Sequence, residues 1–168
     1  NAPFFPANTH EAIATAGGGI LIYSESPENP ASAVIRNCTF SKNSAIAGAG
    51  IAVNYAFGGG TVIVEKCIFE QNYGSWPGGG GGMDIRSLAG NESFILIDSC
   101  LFLNNKANTS GALSINNTSD QLQIVVRNTR FEGNTAELNG AVNVSNSGVN
   151  RVLFQRCSFI RNETYGAA

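Results

Sequence analysis

Charge is scarce in this chain. Only 13% of its 168 residues are Asp, Glu, Lys or Arg, and the formal net charge is −2. A nucleic-acid surface needs a basic stripe, and a membrane-surface patch needs clustered Lys and Arg. Neither is present, so no nucleic acid is expected among the partners. No run reaches the roughly 18 consecutive apolar residues of a membrane-crossing helix, so no span is expected in this chain. Histidine occurs once, at His10, with no identifiable nucleophile to pair with it. The four cysteines include no Cys-x-x-Cys, which argues against a metal cluster. Asp84, Asp98 and Asp120 fall at different phases of the repeat described below, so no converging acid–base set is legible. The expectation is a non-enzymatic chain without cofactor or metal. The chain begins at Asn1 and shows no signal peptide, the mark of a processed protein or an excised segment. Disorder is excluded by the 43% of hydrophobic residues, which recur periodically.

What the chain has is repetition. Cys38-Thr-Phe-Ser-Lys-Asn43 returns as Cys67-Ile-Phe-Glu-Gln-Asn72, Cys100-Leu-Phe-Leu-Asn-Asn105 and Cys157-Ser-Phe-Ile-Arg-Asn162. Thr129-Arg-Phe-Glu-Gly-Asn134 carries Thr for Cys, and Phe5-Pro-Ala-Asn8 is a partial copy. The Phe positions 5, 40, 69, 102, 131 and 159 are 35, 29, 33, 29 and 28 residues apart. Six copies at a near-constant period indicate a solenoid. A second motif travels with the first: Gly18-Gly-Ile20, Ala49-Gly-Ile51, Gly81-Gly-Met83, Gly111-Ala-Leu113 and Gly140-Ala-Val142.

Short β-branched runs at Ala33–Ile35, Val62–Val64, Ile95–Ile97, Ile124–Val126 and Val152–Phe154 read as strands. The Gly-small-aliphatic segments alternate with period two, as in Leu113 and Ile115 around Ser114, which makes them strands with one buried face. No helical stripe appears. Two to three strands per repeat make one coil of a parallel β-helix, with coils about 4.8 Å apart. The chain is thus read as a single all-β domain over 1–168 with about five to six coils. Equivalent residues then stack into ladders. Phe40, Phe69, Phe102, Phe131 and Phe159 are expected inside. Asn43, Asn72, Asn105, Asn134 and Asn162 are expected at a corner, where stacked amides satisfy backbone groups that a bend leaves unpaired. The glycines call for positive φ or close backbone approach.

The polar pairs before each Cys (Arg36-Asn37, Glu65-Lys66, Asp98-Ser99, Arg127-Asn128, Gln155-Arg156) read as a corner that resets strand parity. Ile35, Val64, Ile97, Val126 and Phe154 then point inward. Val34, Ile63, Leu96, Val125 and Leu153 point out, an apolar stripe of the kind that marks a contact surface. The alternatives are a parity off by one, or a loop that covers the stripe. Tyr73 and Trp76 lie in the longest insertion after a Phe-x-x-Asn, either as contact residues or folded back over the sheet. Cys38, Cys67 and Cys100 fall in successive coils at bridging distance. Thr129 at the same position favours free cysteines acting as small hydrophobes. Of seven Asn-x-Ser/Thr sequons, Asn91, Asn108, Asn116 and Asn117 are the expected glycan sites, since Asn162 belongs to the inner ladder.

Paired Phe-x-x-Asn and Gly-small-aliphatic motifs resemble the repeats of the chlamydial polymorphic outer-membrane proteins. The six Phe/Asn pairs carry the resemblance over essentially the whole chain. It implies a right-handed β-helix passenger displayed on the cell surface and used in adhesion. The membrane barrel and secretion signal that accompany such passengers are not in these residues. Neither end carries an evident cap, which points to a longer protein or to copies stacked end to end. The expected partner is a protein or glycan surface ligand, or further copies of the chain.

Overall fold

The computed structural model describes residues 17–56, 58–75, 79–87, 92–146 and 151–166. These form four five-stranded parallel sheets and no helix among the described residues. Sheet A stacks Ile20–Ser24, Ile51–Tyr55, Met83–Ser87, Leu113–Asn117 and Val142–Asn146. Sheet B stacks Ala33–Arg36, Thr61–Glu65, Ser93–Asp98, Leu122–Arg127 and Arg151–Gln155. Sheet C stacks Thr39–Ser41, Ile68–Glu70, Leu101–Leu103, Arg130–Glu132 and Ser158–Ile160. Sheet D stacks Ser44–Ala45, Tyr73–Gly74, Lys106–Ala107, Thr135–Ala136 and Glu163–Thr164. The chain visits A, B, C and D in turn, so each coil holds four strands where the sequence suggested two to three. The strand missed is the two-residue one after each Asn, too short to show a period. The result is a right-handed parallel β-helix of about five turns. The partial copy at Phe5 and Asn8 lies outside the described residues.

Sheets B and C meet at a bend made by one residue. Asn37, Lys66, Ser99, Asn128 and Arg156 all have φ between 50° and 55°. A left-handed residue between two strands breaks the alternation, so Ile35 and Phe40 both face the core. A second left-handed residue precedes each ladder Asn: Lys42, Gln71, Asn104, Gly133 and Arg161. Such a conformation costs about 1–2 kcal/mol for a residue with a side chain. Each bend stays in the ladder, which offsets this: Lys66 N–H donates to Asp98 O at 3.0 Å, and Gln71 N–H to Leu103 O at 3.1 Å.

The glycines of the second motif are required mainly for space. A Cβ on Gly50 would lie 2.7 Å from the Phe69 ring, and one on Gly82 the same distance from Phe102. The Phe rings they permit stack face to face through the core. Their centroids are 5.0 Å apart for Phe40–Phe69, 4.5 Å for Phe69–Phe102, 5.0 Å for Phe102–Phe131 and 4.9 Å for Phe131–Phe159. Phe40, Phe69, Phe102 and Phe131 are buried, whereas Phe159 in the last coil is 52% exposed.

Beside the rings runs the asparagine ladder. Asn105 Oδ1 accepts from Asn72 N–H at 3.0 Å and from Asn72 Nδ2 at 2.9 Å. Asn105 Nδ2 donates to Phe69 O at 2.8 Å and to Asn134 Oδ1 at 3.0 Å. Asn72 and Asn134 repeat the pattern, from Asn43 through to Asn162. Removing one interior amide leaves several buried groups unpaired, each at about 1–3 kcal/mol. Asn105→Ala is therefore expected to destabilise the fold by at least about 3 kcal/mol, measured by urea denaturation. An unchanged midpoint would remove the ladder from the energetics.

Candidate functional site

Alternation in sheet B turns Val34, Ile63, Leu96, Val125 and Leu153 to the outer face, in register across five coils. The row is less exposed than an open stripe. Val34 is 56% and Leu153 44% exposed, but Ile63 and Val125 are half-buried and Leu96 is only 9% exposed. Leu96 has an aliphatic neighbour on either side along the ladder, and Phe94 and Asp98 two residues away on the same face. The end residues lack one of those neighbours.

Ion pairs and amides line one side of the row. Arg36 Nε meets Glu65 Oε2 at 2.5 Å, and Arg127 Nε meets Asp98 Oδ2 at 2.8 Å. Asn128 Nδ2 donates to Asp98 Oδ1 at 2.8 Å, and Arg156 Nε to Asn128 Oδ1 at 2.7 Å. On the other side Thr61, Phe94 and Gln123 stand in register. With Glu92, Ser93 and Gln121 they line a shallow groove of about 380 Å³. The face is thus an aliphatic row between a charge-neutralised margin and a polar groove.

The other candidates are spread over the molecule. Tyr73 is on the outer face of sheet D and 45% exposed. Trp76 and Asn91 lie outside the described residues. Asn116 is exposed, and Asn108 already donates its amide to Glu137 Oε2 at 2.8 Å. Asn117 is corrected: it is fully buried, so it is no glycan site in the folded chain. The alternation that sends Leu113 and Ile115 inward carries Asn117 inward too, and applying it would have shown this.

Sequence reasoning gives Asp84 no role, yet it is buried on the outer face of sheet A. Its Oδ2 accepts from Arg86 Nε at 2.7 Å, and its Oδ1 has no hydrogen-bond partner among the described residues. Asp84 and Asp98 sit on different sheets and do not converge. Among the described residues, no group of three His, Cys, Asp or Glu side chains is placed to hold a metal ion.

All four cysteines are free. Each thiol donates to the carbonyl two residues back: Cys38 to Arg36 O at 3.2 Å, Cys67 to Glu65 O and Cys100 to Asp98 O at 3.3 Å, and Cys157 to Gln155 O at 3.6 Å. Thr129 makes the same bond to Arg127 O at 2.8 Å, which explains why the position accepts either residue. Burial pushes the Cys67 thiol up, and that of Cys100 up to about 12.

Asp98 is the charged hub of the margin. Partial burial disfavours its charge, but hydrogen bonds from Asn128, Arg127 and Ser99 outweigh this and hold its carboxyl below the ordinary value. A depressed folded-state pKa gives stability that is present above the unfolded value, near about 4, and is lost as pH falls through the folded value. The melting temperature is expected to drop on acidification below about pH 4, and Asp98→Asn to flatten that drop. An equally steep drop in the variant would place the acid sensitivity elsewhere.

Among the described residues no helix is long and apolar enough to cross a membrane. Neither the curated proteins nor the solved structures include a match to this chain. The family model described as "Right handed beta helix region" matches residues 9–168. The chain belongs to the right-handed β-helix family.

Proposed function

We propose that the chain is a non-enzymatic structural or adhesive module of an extracellular or cell-surface protein, whose outer sheet-B face docks a protein or glycan. The observation that carries this reading is the in-register row Val34–Ile63–Leu96–Val125–Leu153. An apolar row on an outer face is costly to leave in water unless something contacts it. The margin charges are largely paired within the chain, so a partner need not neutralise Glu65 or Asp98. The rigid stacking of coils, about 4.8 Å apart, presents the row without an ordering cost. The resemblance to surface-displayed repeats points the same way. Low charge with abundant Asn, Ser, Thr and Gly suits an extracellular surface.

The test uses beads coated with the chain, challenged with a panel of extracellular-matrix proteins and neutral or acidic glycans. The double variant Val34→Glu/Leu153→Glu changes the two most exposed residues of the row. It should keep the parent melting temperature and lose at least about tenfold in retention, the equivalent of about 1.4 kcal/mol. Undiminished retention would move the contact off this face. Steady release of reducing ends from polygalacturonate or alginate would overturn the non-enzymatic reading.

A further inference from the structure

We propose that Cys38 and Cys67 form a redox-sensitive pair, which a small disulfide compound converts into a bond tying the first described coil to the second. The two residues are equivalent positions in adjoining coils. Ile68 N–H donates to Cys38 O at 2.9 Å, and the following residues Thr39 and Ile68 are in register. Their Cα atoms are therefore about one strand spacing apart, roughly 4.8 Å. That lies within the range of about 4.4–6.8 Å that a disulfide spans. Both thiols point at carbonyls of residues in register, Arg36 O and Glu65 O, and the Cys67 thiol also reaches Ile35 O, in the coil of Cys38, at 3.7 Å. The Cys38 side chain lies near enough to influence the acidity of Cys67.

Access selects this pair from the stack. Cys38 is exposed, whereas Cys67 and Cys100 are buried. Cys157 is partly exposed, but its neighbour in the coil below is Thr129, which has no sulfur to offer. Only Cys38 combines an exposed thiol with a cysteine in the next coil.

The chemistry closes without a cofactor. The Cys38 thiolate attacks one sulfur of the small disulfide, whose S–S bond breaks to release one small thiol. Cys67 then attacks the Cys38 sulfur of the mixed disulfide, its proton passing to the departing second small thiol. Two cysteine thiols and one small disulfide become one protein disulfide and two small thiols. The cysteine sulfurs are oxidised and the reagent is reduced.

The folded chain is treated with oxidised glutathione, quenched with acid, alkylated and mapped by peptide mass spectrometry. The expected product has lost two hydrogens, with a linked Cys38–Cys67 peptide as the major species and alkylated Cys100 and Cys157. Cys67→Thr, which copies the residue found at Thr129, should fold and trap the glutathione adduct on Cys38. Cys38→Ser should give neither adduct nor link within the first coils. A lasting adduct on Cys38 of the native sequence would overturn the proposal. So would alkylation of both residues after treatment, or a link that forms only in urea.

Discussion

An asparagine amide offers two hydrogens and two lone pairs, and this fold uses all four. In the interior coils the oxygen accepts from the neighbouring coil's amide and backbone N–H, while the nitrogen donates to the next amide and to a Phe carbonyl. No other small side chain meets that demand. Aspartate has no donor when ionised, and serine has a single hydrogen to give. The ladder satisfies corner groups that would otherwise be buried unpaired, and it fixes the Phe-bearing strand to the corner that follows. The ring stack, the bends on either side and the register of sheet B follow from that attachment.

The ladders were legible in the sequence because each coil contributes one residue at a fixed place. A stacked position must accept its own neighbour, so Phe recurs above Phe and Asn above Asn. Parity was legible for the same reason in sheets A and B. The bends were not. Lys66, Gln71, Ser99 and Arg156 adopt left-handed backbone without being residues that favour it. Their conformation is imposed by the strands on either side, a tertiary cause that residue preference does not reveal. The two-residue strands of sheet D were missed because two residues cannot display a period.

The outer face was half legible. Which residues point outward followed from alternation, but how far they are exposed did not. Ile63 and Val125 are flanked on both sides as Leu96 is, yet only Leu96 has Phe94 two residues away where they have Thr61 and Gln123, so shielding depends on the neighbouring side chains as well as on position in the stack. Asn117 makes the reverse point: a surface-type motif buried by parity. The molecule thus separates two tasks. Interior ladders hold the coils, and the outward positions of sheet B carry an aliphatic row beside a neutralised margin.

The central claim is that the asparagine ladder binds the coils into one cooperative unit. Native-state hydrogen exchange of the side-chain and backbone amides of Asn72, Asn105 and Asn134 tests it most directly. The account predicts that these protons exchange together and among the slowest in the chain, opening only when the coils separate. Exchange at the rate of exposed amides, or separately from coil to coil, would contradict it.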